Sequence, residues 1–83
     1  MNPRVKNVVP IEDYNLKIQF NNGEEGIYDC IHLLDFGVFK ELKDINYFKQ
    51  AKALDGTVVW PHEQDICPNT LYLESKDKVV RVD

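Results

Sequence analysis

The stretch that decides the fold runs from residue 16 to residue 30 and reads LKIQFNNGEEGIYDC. Its apolar side chains at Leu16, Ile18 and Phe20 alternate with polar ones, which is the period-two pattern of a half-buried strand. The Asn-Asn-Gly that follows tolerates positive φ, and a second strand-like run continues from Glu24. The stretch therefore predicts a β-hairpin.

Further β segments lie on either side of this hairpin. Residues 4–10 are rich in valine and end at a proline, which cannot donate to a sheet, so they predict a first strand that ends there or lies at an edge. Residues 51–60 contain Asp55-Gly56, which fits a type I′ turn, and they predict a second hairpin. The β-prone tail at residues 76–83 predicts an edge strand or a frayed end.

Short helical segments are predicted after each hairpin. The apolar spacing within residues 38–42 favours one helical turn, and Asp44 can cap a second turn in which Ile45 and Phe48 share a face. Pro68 has the backbone conformation favoured at the start of a third segment. The chain is therefore predicted to be one α+β domain over residues 1–83, in which short helices pack on an antiparallel sheet built from two β-hairpins plus an N-terminal strand.

Composition narrows the class of protein. The 83 residues are 43% hydrophobic and 29% charged, a balance typical of a small domain that folds alone. No apolar run approaches the ~20 residues that a membrane span needs, and the N-terminus has no export-signal pattern. Two cysteines, Cys30 and Cys67, are too few for a disulfide framework. We therefore expect a cytoplasmic protein with reduced cysteines and no membrane contact.

The charge of the chain argues against direct nucleic-acid binding. The net charge is −4 and the pI is about 5.0, whereas phosphate neutralisation requires a basic surface. Residues 53–75, the acidic segment, contain no lysine or arginine. Its carboxylates are Asp55, Glu63, Asp65 and Glu74. Such a segment is either a solvated face or a contact surface for a basic partner, because complementary charges speed and orient association.

The most unusual part of the acidic segment is residues 60–68, which hold the one tryptophan between two prolines and several polar side chains. In one interpretation Trp60 fills the core, packed with the apolar side chains of the first hairpin, and Asp65 caps or braces the turn that leads into the helix. In the other, the rigid loop presents His62, Glu63 and Asp65 to a partner, since prolines limit the ordering cost of binding.

Cysteine and histidine raise the alternatives of a metal site or a nucleophile. Cys30 is two residues from His32, and His62 is five residues from Cys67, but this spacing matches no compact zinc knuckle. A cysteine nucleophile would need a histidine beside it and walls that exclude water, and no glycine-rich phosphate loop is present. We therefore predict no catalytic residues, no metal and no cofactor.

Short motifs along the chain resemble a known family. The most specific one combines Val59-Trp60-Pro61 with Asp65-Ile66, Pro68 and Leu71-Tyr72. The others are Val8-Val9-Pro10, Leu16-x-Ile18-x-Phe20, Asn22-Gly23-Glu24, Tyr28-Asp29, Gly37-Val38-Phe39-x-x-Leu42-x-Asp44 and Phe48. From about residue 5 to residue 74 the chain resembles the small prokaryotic family called domain of unknown function 2442. Many members carry Asn-Gly after the Trp-Pro pair, where this chain has His62-Glu63.

The resemblance implies a compact α+β domain with no established catalytic activity. Some members are joined to a helix-turn-helix domain, and others look like the partner of a small toxin-like protein in two-gene modules. We therefore predict a non-enzymatic, antitoxin-like interaction module that contacts a basic protein. The predicted contact residues are Trp60, His62, Glu63, Asp65 and Tyr72. The alternatives are a homo-oligomer, a structural subunit, and a metal or small-ligand site near His62.

Overall fold

Seven strands and five short helical segments make up residues 2–80, the part of the chain that this structure, a computed structural model, describes. The strands are β1 (Val5–Ile11), β2 (Asn15–Phe20), β3 (Glu24–Asp29), β4 (Lys52–Leu54), β5 (Thr57–Val59), β6 (Asp65–Ile66) and β7 (Lys76–Val80). The α-helices are α1 (Ile45–Phe48) and α2 (Pro68–Glu74). The 3₁₀ turns cover Glu12–Tyr14, Ile31–Leu33 and Gly37–Lys43.

The strands form two antiparallel sheets, which confirms the α+β class. The first sheet has the order β1-β2-β3-β7 and the second has the order β4-β5-β6. The sequence analysis placed the second hairpin in the same sheet as the first. The second hairpin instead pairs with β6 and forms a sheet of its own. The backbone N–H of Val5 donates to the carbonyl oxygen of Gly56 at 2.9 Å. Within residues 2–80, β1 is nevertheless not paired with a strand of the second sheet.

The turn of the second hairpin is the predicted type I′ turn. Asp55 and Gly56 have φ values of 51° and 83°, as both central positions of that turn require. Arg4 lies over the turn, where its Nη2 donates to the Asp55 carbonyl oxygen at 3.2 Å. A Cβ at Gly56 would lie 2.5 Å from Arg4 Nε, so glycine also makes room for the arginine.

The core lies where both sheets and α1 meet, and Trp60 is its largest fully buried side chain. The alternation of the first hairpin is confirmed, because Leu16, Ile18 and Phe20 are each at most 1% exposed. Phe39 packs against the core while remaining half-buried. Hydrophobic burial of this kind is the main stabilising contribution in a small domain.

The helices are as short as predicted, and the apolar face predicted for α1 is only partly buried. Asp44 caps α1 by accepting a hydrogen bond from the backbone N–H of Asn46 at 3.0 Å. Within this single turn Phe48 and Tyr47 are buried, whereas Ile45 at the first position is 40% exposed. In the described residues, no helix is long or apolar enough to cross a membrane.

The C-terminal strand is an edge strand, as one of the two predictions for the tail had it. β7 pairs with β3 through an irregular register, and residues 81–83 lie outside the described part of the chain. Gly26 of β3 allows this arrangement, because a Cβ there would lie 2.9 Å from Cβ of Ser75.

Candidate docking site

The site begins at the docking loop, residues 61–64, which joins β5 to β6. The backbone N–H of Glu63 donates to Trp60 O, and the N–H of Trp60 donates to Gln64 O, both at 3.0 Å. Glu63 has a φ of 75°, a region in which glycine and asparagine are at ease and other residues are strained. A carboxylate side chain stands at this position.

Trp60 forms the floor beneath the docking loop. Its side chain is 2% exposed, and its indole Nε1 donates to the carbonyl oxygen of Phe48 at 2.9 Å. The interpretation that Trp60 fills the core is therefore confirmed. Burial leaves almost none of the Trp60 surface accessible, so this side chain cannot contact a partner directly.

His62 is exposed but held in one orientation by three contacts. Its Nδ1 lies 2.6 Å from Glu41 Oε2, its backbone N–H donates to the hydroxyl of Tyr47 at 2.9 Å, and its ring stacks on the Tyr47 ring at 5.1 Å. A carboxylate only accepts hydrogen bonds, so Nδ1 carries the proton. Within the described residues, Nε2 of His62 has no hydrogen-bond partner.

Gln64 ties the docking loop to the 3₁₀ turn Gly37–Lys43. Its side chain is 3% exposed and accepts a hydrogen bond from the Tyr47 hydroxyl. Its Nε2 donates to Glu41 Oε1 at 2.9 Å and to the Val38 carbonyl oxygen at 3.0 Å. We call Gln64, Glu41, Tyr47 and His62, with the Val38 carbonyl, the Gln64 network. Because a buried amide with satisfied hydrogen bonds resists rearrangement, this network fixes the shape of the surface.

Asp65 is exposed and does not have the predicted bracing role. It pairs through its backbone with Val59 in the second sheet, and the residue that precedes α2 is Cys67, which makes no side-chain cap. The helix starts instead at Pro68, where the missing N–H costs nothing. The carboxylate of Asp65 is therefore available at the surface next to the docking loop.

Tyr72 lies in a separate cluster. Its hydroxyl donates to Glu24 Oε1 at 2.7 Å, and Asn22 donates to the same oxygen at 2.7 Å. Lys78 Nζ lies 4.3 Å from the centre of the Tyr72 ring and donates to the Tyr72 carbonyl oxygen at 2.7 Å. We call these four residues the Tyr72 cluster. In the described chain, no hydrogen bond or ring contact joins Tyr72 to the docking loop.

The Tyr72 cluster changes the acidity of its own members. The hydrogen bond from Tyr72, followed by that from Asn22, holds the pKa of the Glu24 carboxyl below its usual value. The same hydrogen bond to Glu24, with a smaller contribution from burial, raises the pKa of Tyr72. The Glu24 carboxylate and the Tyr72 hydroxyl are thus held in a hydrogen bond to each other.

Folding brings two cationic side chains close to the acidic segment, which contains no lysine or arginine of its own. Arg4 covers the Asp55 turn at one end, and Lys78 covers Tyr72 near the other. Between them, neither lysine nor arginine of residues 2–80 forms an ion pair with Glu63, Asp65 or the neighbouring Glu41. Glu63 and Asp65 therefore present carboxylates that have no lysine or arginine partner in residues 2–80, while Glu41 contacts His62.

The cysteines and histidines do not come together as a site. Cys30 is buried, and this burial, helped by Asp29, raises the pKa of its thiol to about 12, so the thiolate needed for metal binding or nucleophilic attack is disfavoured. Cys67 is an exposed free thiol. In residues 2–80, no group of three or more histidine, cysteine or acidic side chains could hold a metal ion.

Three members of the Gln64 network were not predicted from the sequence. Glu41, Tyr47 and Gln64 lie up to 23 residues apart and show no local pattern, since a tyrosine beside a buried phenylalanine is explained by packing alone. A buried glutamine is recognisable only once its partners are placed.

The fold and the site define a small α+β domain of two antiparallel sheets, with a rigid acidic loop supported by a buried tryptophan. The chain belongs to the family described as protein of unknown function (DUF2442), whose model matches residues 5–77. No curated protein and no solved structure matches the chain significantly. The family assignment confirms the resemblance and extends it to the start of β7.

Proposed function

We propose that this protein is a non-enzymatic interaction module of the cytoplasm that binds a basic protein through the docking loop, Asp65 and Glu41. The observation that carries the proposal is the local surplus of carboxylates. Glu63 and Asp65 are exposed and have no cation paired with them in the described chain, and Gln64 between them is hydrogen-bonded to the carboxylate of Glu41. An antitoxin-like role for such binding rests on analogy with family members.

The rigidity of the loop supports binding. Association costs free energy when side chains and loops become ordered, and here the Gln64 network and the buried Trp60 have already ordered the loop. Exposed carboxylates on a preorganised loop attract a basic partner over a distance of about a Debye length, ~10 Å at 0.1 M salt, and thereby raise the association rate.

Glu63 is one of five non-glycine residues at positive φ in residues 2–80, and the one that lies in the docking loop. A residue held at positive φ costs about 1 to 2 kcal/mol relative to a relaxed conformation. Glycine would remove the strain but also the carboxylate. The chain keeps the carboxylate.

A metal or small-ligand site near His62 is the alternative. The carboxylate of Glu41 on His62 Nδ1 resembles the arrangement that orients a metal-binding imidazole. Elemental analysis of the purified protein tests it: we expect no stoichiometric zinc and no fall in melting temperature with a chelator, because structural zinc contributes folding free energy.

Charge reversal tests the proposed function. The probe is a basic protein that co-purifies with the wild-type chain, and the measurement is its association rate at several salt concentrations. Glu63→Lys with Asp65→Lys is expected to slow association, and the effect should shrink as salt screens the charges.

The matched control carries the same change in net charge elsewhere. Glu12→Lys with Asp77→Lys reverses two exposed carboxylates outside the acidic segment and should slow association much less. If the docking-loop variant and the control have equal effects at low salt, the contribution is the net charge of the chain and the proposed site is wrong.

A further inference from the structure

Two of the most exposed apolar side chains flank Gly37, at the start of the 3₁₀ turn to which Gln64 ties the docking loop. Phe36 is 65% exposed and Val38 is 68% exposed, on either side of Gly37. We call Phe36 and Val38 the apolar tip. An exposed phenylalanine contributes nothing to the core, and a contiguous exposed apolar patch commonly marks an interaction site.

The apolar tip is held in place by the same groups that hold the docking loop. Gln64 Nε2 donates at once to the Val38 carbonyl oxygen and to Glu41 Oε1, so one buried amide joins the backbone of the tip to the carboxylate that orients His62. The backbone N–H of Phe39 also donates to the Phe36 carbonyl oxygen at 2.9 Å. The tip and the acidic loop therefore form one preorganised surface.

We infer that the apolar tip is the anchor of the proposed docking site, and that its partner is a basic protein segment with one apolar side chain flanked by lysine or arginine. This inference rests on the proposed function and adds the chemistry of the bound segment. Aromatic anchors supply most of the binding energy of an interface, while the charged groups around them exclude water and select the partner.

Charge complementarity favours such a partner over a second copy of this chain. Two copies of this chain would each bring a net charge of −4 to their interface. Like charges brought together at an interface oppose association, whereas a segment that carries lysine or arginine is opposite in charge to the chain and to Glu41, the carboxylate that Gln64 ties to the tip.

The probe is a random peptide library displayed on phage and selected against the wild-type chain. Selected peptides should combine lysine or arginine with one large apolar residue. Phe36→Ser with Val38→Ser should weaken their binding by about tenfold or more, the effect of losing a central anchor. The melting temperature should stay unchanged, because both side chains are exposed. The matched control is Leu73→Ser with Val79→Ser, which removes apolar side chains that are 65% and 53% exposed elsewhere and should leave affinity unchanged.

Each other outcome overturns the anchor in a distinguishable way. If basic peptides bind the Phe36→Ser, Val38→Ser variant normally but lose affinity for the Glu63→Lys, Asp65→Lys variant, the anchor is wrong and the proposed function stands. If the selected peptides bind the tip without any basic residue, the partner chemistry is wrong. Self-association in sedimentation experiments that the tip substitutions abolish would make a second copy the occupant. If no peptide is selected, both the anchor and the proposed function are contradicted.

Discussion

The Gln64 network and the Tyr72 cluster are built from similar parts but leave different charges at the surface. Each contains a tyrosine hydroxyl, an amide side chain and a glutamate. In the Tyr72 cluster a lysine lies over the ring. In the Gln64 network the glutamate contacts a histidine, and no lysine or arginine of the described chain pairs with it.

This difference shows what a run of like charges means in a folded chain. The acidic segment has no cation for 23 residues of sequence, yet folding brings Arg4 to one part of it and Lys78 to another. Arg4 contacts a backbone carbonyl and Lys78 contacts Tyr72, so neither forms an ion pair with a carboxylate of the segment. A run of like charges in sequence therefore does not indicate which of its residues a cation will approach in the fold.

The largest expected effect is on the floor of the docking loop. Trp60→Ala should lower the free energy of unfolding by about 3 to 5 kcal/mol, the usual cost of a large core deletion, since the side chain is 2% exposed. Urea denaturation followed by circular dichroism measures this, with Trp60→Phe as the milder control. A loss of unfolding free energy below about 1 kcal/mol would contradict the structural role assigned to Trp60 beneath the docking loop.

The second effect concerns the amide that joins loop and tip. Gln64→Leu keeps the volume but leaves the Val38 carbonyl without its donor and the Tyr47 O–H without its acceptor, which should cost about 1 to 3 kcal/mol. Gln50→Leu on the exposed side of the chain is the control and should change stability little. Equal stability of both variants in urea would show that the Gln64 network does not hold the surface together.

The third effect is a gain in stability. Glu63→Gly should raise the free energy of unfolding by up to about 1 kcal/mol, because relief of strain at positive φ is partly offset by the greater freedom of glycine in the unfolded chain. Glu63→Ala removes the carboxylate but keeps the strain, so it should bring no such gain. A similar gain from alanine would assign the effect to charge.

The smallest effect sharpens the description of the Tyr72 cluster. Tyr72→Phe should raise the pKa of Glu24 towards its usual value, and by more than Asn22→Ala does, since the tyrosine hydrogen bond is the larger cause of the lowered pKa. A lowered pKa stabilises the fold above the carboxyl's unfolded pKa, and this contribution is lost as the pH falls through the folded pKa. NMR titration of the Glu24 carboxyl is the measurement. An unchanged pKa in Tyr72→Phe would contradict the assigned cause.

Local patterns predicted the strands other than β6, the turn at Asp55-Gly56 and the burial of Trp60, because alternation and turn chemistry act over a few residues. They failed where a tertiary contact decides. Ile45 is exposed because α1 is one turn long and its neighbours Tyr47 and Phe48 take the buried side. Asp65 does not cap α2, because Pro68 starts the helix without it. The docking loop was predicted because its residues are contiguous in sequence. Glu41 and the apolar tip were not predicted, because only the tertiary fold brings them to the loop.

The position of the one tryptophan has a practical consequence for anyone searching for the partner. Its indole is shielded from water and hydrogen-bonded to a backbone carbonyl, directly under the docking loop. A molecule that shifts the loop would change the polarity around the indole and so its fluorescence. The unlabelled chain is therefore its own optical sensor, and a titration in a cuvette can screen candidate partners before any variant is made.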